Sequence, residues 1–330
     1  ITSLVGPVTL TGQSATANAI KLTGAVSSAA GFTAVGTSTT APTVVAVAAI
    51  TNTTGNISIT GNAAAAGANT GISATGAITQ NQVGGNISFI SNNKISQTGT
   101  VALVANTGGT AANVLYDTRT GNSGSTIQNG ALSIGAGTSA SAINFSELTN
   151  GALIFNSGVT VPGYILIDNT NGSSSTATIA NVNGTTITGA LNAGTLAGST
   201  GVRINTVSSG TGVGIQDIAA ITTLAGPVTL TSISETANSI NLTAASSITS
   251  AGGISIIGTS SQAFATADTA GAYGAVSVLG QVTNTGAGGV LVQSTANTAT
   301  GAITDSGAGG ISITGGYNIQ QPLRFKIAGV

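Results

Sequence analysis

The sequence predicts an all-β chain wound as a parallel β-solenoid (β-helix), with rungs of about 21 residues and helix content near zero. Three observations carry this expectation. Apolar and polar residues alternate in short runs, Asn recurs at a fixed interval in the middle of the chain, and charged side chains make up only 4% of it. Alternation with a period of two puts successive side chains on opposite faces of a strand. A fixed longer period is the mark of a stacked, repetitive architecture.

The strands come in chain order. Val8-Thr9-Leu10, Ile20-Lys21-Leu22, Ile57-Ser58-Ile59 and Ile87-Ser88-Phe89 open the series, and Leu132-Ser133-Ile134 follows. Val228-Thr229-Leu230, Ile240-Asn241-Leu242, Ile254-Ser255-Ile256, Val290-Leu291-Val292 and Ile311-Ser312-Ile313 continue it. Each run is short and bounded by Gly, Asn or Ser, as half-buried strands are. The apolar run 44–50 reads as one buried strand. It falls far short of the roughly 18 apolar residues that make a membrane-helix candidate, so no transmembrane segment is expected.

Repeats occur at two scales. Residues 1–23 match residues 221–243 at 16 of 23 positions, and Gly36-Thr37-Ser38 has its counterpart in Gly258-Thr259-Ser260. The expected organisation is therefore a full copy of a long unit over 1–220 and a partial second copy over 221–330, with a variant C-terminal strand at 317–330. The chain opens on Ile1 without a signal-like segment and stops partway through the second copy, so a processed product or an excerpt of a longer fibre is expected. The shorter period is carried by Asn129, Asn150, Asn171 and Asn192, which follow one another at equal intervals, three of them in Asn-Gly. Asn and Gly tolerate the left-handed backbone of a sharp corner. Asn side chains stacked on successive coils can also bond to one another as a ladder of amides. On this reading the chain makes about 16 coils.

Composition narrows the chemistry. Six Lys or Arg and seven Asp or Glu are scattered over 330 residues, and His, Cys, Met and Trp are absent. The commonest general base, the thiolate nucleophile and the usual zinc ligands are missing. A formal net charge of −1 offers no electrostatic footprint for nucleic acid. Glu147 and Asp168, separated by the same interval as the Asn series, are the one carboxylate pair that coil stacking could bring together for acid/base work. They lack the cluster of Arg, Lys and aromatic groups that such sites recruit, and no Asp-rich calcium loop or phosphate-binding Gly-Lys-Ser/Thr loop is present. No catalytic residue, metal or cofactor is expected. The one concentration of charge is the amphipathic segment around Arg324, Phe325 and Lys326, which reads as a junction or cap because charges on an edge strand oppose further strand addition.

The segments Gly-Gly-Ile-Ser-Ile-Thr-Gly at 309–315, Gly-Gly-Ile-Ser-Ile-Ile-Gly at 252–258, Gly-Asn-Ile-Ser-Ile-Thr-Gly at 55–61 and Asn-Gly-Ala-Leu-Ser-Ile-Gly at 129–135 resemble the degenerate repeats of filamentous-haemagglutinin-type bacterial surface adhesins. The resemblance implies a shaft built as a right-handed parallel β-helix. No Asn-Pro-Asn secretion motif and no Arg-Gly-Asp tripeptide is present, so neither a secretion domain nor an integrin-type contact follows from it. The expected role is a non-enzymatic structural or adhesive segment of an extracellular or cell-surface fibre, whose partners are its own copies and cell-surface glycans or other cells. The alternative is a set of tandem antiparallel β-sandwich domains binding a carbohydrate or a host protein.

Overall fold

The structure, a computed structural model, describes residues 1–64, 70–82, 84–103, 112–118, 127–128, 132–134, 143–148, 153–155, 159–160, 164–169, 185–187, 191–193, 201–208, 214–217, 219–234, 239–260, 276–294, 298–300, 302–305, 311–314, 319–320 and 324–327. Among these, every ordered element is a strand and none is a helix. The chain forms two compact units, Ile1–Gly163 and Tyr164–Val330. Among the described residues, each is a parallel β-solenoid of six coils with three sheet faces.

In the first unit, face one holds Thr2–Ser3, Val26–Ser28, Ile50–Asn52, Ile78–Gln80, Val101–Leu103 and Leu132–Ile134. Face two runs from Val8–Ser14 through Phe32–Ser38, Ile57–Ala63, Ile87–Ser91 and Ala112–Asp117 to Ile143–Leu148. Face three begins with Ile20–Lys21, Thr43–Val47, Thr70–Ala74 and Lys94–Gln97. The second unit repeats the plan. Its face one includes Leu191–Ala193, Ala220–Thr223, Ser247–Ser250 and Gln281–Asn284, its face two Val202–Ser208, Val228–Ser234 and Ile254–Ser260, and its face three Ile215–Asp217, Ile240–Leu242 and Val276–Val278. The described strand pairs within the units are all parallel, which replaces the antiparallel sandwich considered as the alternative.

Coil length departs from the period expected from the Asn series. On face two Val202 pairs with Val228 and Val228 with Ile254, and this step of 26 in residue number typifies the coil. Along that face the steps range from 21, at Val290 to Ile311, to 37, at Ile165 to Val202. The expected period is thus met only by the shortest steps among the described pairs. Register is kept across unequal steps: Ser234 pairs with Ser260 and Ile240 with Val276, steps of 26 and 36 in residue number. Lengthening a connection costs little, because loop-closure entropy grows slowly with length. In place of the expected count of coils, the described strands form six per unit. The apolar run at 44–50 forms two strands, Thr43–Val47 on face three and Ile50–Asn52 on the next face, turned at Ala48-Ala49.

Inward side chains stack on their counterparts in the coils above and below. Val8, Phe32, Ile57, Ile87 and Val114 are in register on face two, and Leu10, Ala34, Ile59, Phe89 and Tyr116 form a second column beside them. From Phe32 to Tyr116 these columns are fully buried. The rings of Phe89 and Tyr116 stack with centroids 4.8 Å apart, and the Tyr116 hydroxyl donates to Gln97 Oε1 at 2.9 Å. Such columns account for the scarcity of charge, since like charges at the ~4.8 Å strand spacing repel.

The long repeat maps onto matching structural positions. Val8–Ser14 and Val228–Ser234 both lie on face two, Ile20–Lys21 and Ile240–Leu242 on face three, and Phe32–Ser38 and Ile254–Ser260 again on face two. The repeat boundary at 220/221 lies inside the second compact unit.

Candidate functional site

The most developed polar arrangement is the corner where face one turns into face two. The local sequence there is Ile or Val, then Thr or Ser, then a third polar residue, with Gly three positions later. Ile50-Thr51-Asn52-Thr53-Thr54-Gly55, Val26-Ser27-Ser28-Ala29-Ala30-Gly31, Ile221-Thr222-Thr223-Leu224-Ala225-Gly226 and Ile248-Thr249-Ser250-Ala251-Gly252-Gly253 share the pattern. Strand alternation turns the apolar residue inward, the middle hydroxyl outward and the third residue back inward, which gives Ile50–Asn52 its buried, exposed, buried order. The glycine follows from the tight turn: Gly31, Gly55 and Gly253 have φ of 121°, 77° and 102°, in the left-handed region that other residues rarely adopt.

The inward polar residues stack as the apolar ones do. Ser28, Asn52 and Gln80 are in register in the first unit, and Thr223, Ser250 and Asn284 in the second, all essentially without solvent exposure. In the first unit each satisfies its own turn and ties it to the next. Ser28 Oγ donates to the Gly31 carbonyl at 2.6 Å, while the Gly31 N–H donates to Asn52 Oδ1 at 2.9 Å. Asn52 Nδ2 donates to the carbonyls of Thr54 at 2.7 Å and Gly55 at 3.1 Å, and to Gln80 Oε1 at 3.1 Å. Gln80 Nε2 returns to the Gly55 carbonyl at 2.8 Å. In the second unit Thr223 Oγ1 donates to the Gly226 carbonyl at 2.5 Å and lies 3.0 Å from Ser250 Oγ, which reaches the Gly253 carbonyl at 2.9 Å. These buried side chains take over turn carbonyls and amides that would otherwise be costly to bury.

Ordered rows of two kinds, hydroxyl and amide, face outward. On face one of the second unit, Thr222, Thr249 and Thr283 succeed one another in register, and the backbone of Thr304 continues the series. In the first unit Thr2, Ser27, Thr51 and Thr79 do the same. At the entry to face two, Asn56, Asn86 and Asn113 form an amide ladder. Asn56 Oδ1 accepts the Asn86 N–H at 2.9 Å and lies 3.5 Å from Asn86 Nδ2, and Asn86 Oδ1 does the same for Asn113 at 2.8 and 3.5 Å. Asn86→Ala removes the middle of this ladder and leaves the half-buried Asn113 amide without that acceptor. A loss of about 1 kcal/mol in unfolding free energy is expected in urea titration.

Of the residues singled out from sequence, Asn129, Asn150 and Asn171 lie outside the described residues. Asn192 is in Leu191–Ala193, and its backbone pairs with Thr222 of the following coil. Arg324, Phe325 and Lys326 lie in Arg324–Ile327, paired with Ala302, Ile303 and Thr304. Glu147 pairs with Tyr116, and Asp168 with Asn205. Asp117 pairs with Ile90 and Leu148, and Asp217 with Ile187 and Leu242. No known protein family, curated protein or solved structure matches the chain. Among the described residues no three His, Cys, Asp or Glu side chains gather where they could hold a metal ion. The corner hydroxyls of Ser28, Thr223 and Ser250 are engaged with glycine carbonyls. The arrangement consists of buried polar columns that tie turns to one another, with outward hydroxyl rows on face one and an amide ladder at Asn56, Asn86 and Asn113.

Proposed function

We propose that the chain is a non-enzymatic structural and adhesive segment of a bacterial extracellular or cell-surface fibre, one that associates with its own copies into a filament and displays repeated faces toward glycans or other cells. The observation that carries this reading is coil-on-coil stacking in which each coil's backbone groups are satisfied by its neighbours. In such an architecture a coil paired on one side only favours addition of another coil. The absence of His and Cys, the 4% charge content and the long internal repeat support it further. Electron microscopy of the isolated 330-residue chain over a range of concentrations tests it. Rods that lengthen with concentration are expected, and compact monodisperse particles at every concentration overturn the reading.

A further inference from the structure

We propose that face two of the first unit is a contact surface for a second copy of this chain, laid against it face to face with the two solenoid axes antiparallel. Face two is the widest of the three. Its strands run to seven residues at Val8–Ser14, Phe32–Ser38 and Ile57–Ala63, whereas those of face one in this unit have two or three. Its outward side chains form straight columns. Thr11, Val35, Thr60, Ile90 and Asp117 follow one another in register down its middle, and Thr9, Thr33, Ser58, Ser88 and Leu115 make a column beside them. All are exposed or half-buried, and Asp117, in the last of these five strands, is the one charge in the two columns. The other broad faces differ: outward Lys21 and Lys94 stand on face three of this unit, and exposed Arg203 on face two of the second.

Such a face is self-complementary in one orientation. Strand spacing is the same ~4.8 Å in both copies, so columns that meet stay matched along their length. A two-fold axis along the central strand, Ile57–Ala63, sets Thr60 against its own counterpart, Val35 against Ile90 and Thr11 against Asp117. The symmetry makes the apolar pair twice, and each carboxylate meets a hydroxyl that can donate to it. In the column beside it Ser58 meets Ser58 and Thr33 meets Ser88. The parallel alternative, with the two-fold along the solenoid axis, puts Asp117 against Asp117, and juxtaposed like charges oppose association. Five strands of five to seven residues, at ~3.3 Å per residue and ~4.8 Å per strand, make a face of roughly 500 Å². Two such faces bury on the order of 1,000 Å² in total, the size a specific contact needs. Short and mostly β-branched side chains suit dry pairing of sheet faces, because they lose little rotamer freedom when covered.

This contact is lateral; it goes beyond end-to-end growth and does not rest on it. The chain has no cysteine, so single substitutions to cysteine report neighbours without background. The test uses the full chain carrying Thr60→Cys, Thr11→Cys or Thr51→Cys, with a thiol crosslinker of short reach. Thr60→Cys lies on the two-fold axis and is expected to give at least about tenfold more crosslinked dimer than Thr51→Cys, which is the more exposed of the two but stands on face one. Thr11→Cys, whose two copies lie four strand spacings or ~19 Å apart across the antiparallel contact, should stay at the Thr51→Cys level. Strong crosslinking of Thr11→Cys would mean a parallel pair, and equal yields from all three a contact of no fixed geometry; either overturns the proposal. So does a native chain that stays monomeric up to about 100 μM in sedimentation equilibrium, a measurement that needs no variant to fold. Rods that lengthen without Thr60→Cys crosslinking would overturn this contact and keep the filament reading, whereas compact crosslinked pairs would do the reverse.

Discussion

Asn52→Asp is expected to destabilise the first unit by about 3–5 kcal/mol, the cost of an uncompensated buried charge. Asn52 has no solvent exposure, and its amide nitrogen faces three acceptors, the carbonyls of Thr54 and Gly55 and Gln80 Oε1. An ionised carboxylate keeps only the interaction with the Gly31 N–H, at 2.9 Å in the native corner, and sets its charge against three oxygen atoms. Neither partner can turn away cheaply. Gln80 is equally buried and already bonded to the Gly55 carbonyl, and the turn carbonyls are fixed by the positive φ of Gly55.

Asn52→Ser supplies the comparison, because serine fills the equivalent corner as Ser28 and Ser250. It keeps a hydroxyl for a turn carbonyl and loses the reach to Gln80, so a cost of about 1–2 kcal/mol is expected. Denaturant unfolding of both variants would measure the difference. Equal, small losses would mean that water reaches the corner and that the column Ser28, Asn52, Gln80 is not a dry network.

The strands are legible in the sequence because an inward apolar residue and an outward hydroxyl alternate at Val8–Ser14, Ile57–Ala63 and Ile254–Ser260, and the solvent boundary reads that alternation directly. Coil length is harder to read. Register is set by inward side chains, whereas the sequence period also counts corner residues, and those vary. The interval of the Asn series recurs at Val290 to Ile311, but Ile127 pairs with Leu153, a longer step that begins within the same stretch of chain as that series. The amide ladder shows the same separation of chemistry from spacing. Asn does stack on Asn, at Asn56, Asn86 and Asn113, with unequal steps that no fixed interval would find. The buried corner escapes a reading of sequence because Ser, Thr and Asn beside glycine look like ordinary surface turns. Its signature is nonetheless present: an apolar residue, a hydroxyl, a polar residue and a glycine three positions later, starting at Val26, Ile50, Ile221 and Ile248.

Gly61→Ala is expected to cost about 3 kcal/mol, at the upper end for an overpacked core, for a reason that is purely steric. Gly61 stands in register with Gly12 and Gly36 on face two, where that face closes on face three of the same coil. A Cβ there would collide with the Gly71 carbonyl oxygen and lie 2.7 Å from its carbon. These are backbone atoms of Thr70–Ala74, a strand held by parallel pairing on both sides, so no side-chain rotation relieves the clash. The backbone of Gly61 does not need the left-handed region, which separates this cost from that of the corner glycines. Gly24→Ala isolates the effect. A Cβ at Gly24 meets nothing within 4 Å, and its φ is also outside the left-handed region. That variant should be neutral or gain up to about 1 kcal/mol from the stiffer unfolded chain. If thermal unfolding found the two alanine variants alike, the close approach of faces two and three would be refuted, and with it the steric reason why glycine recurs at this level of successive coils.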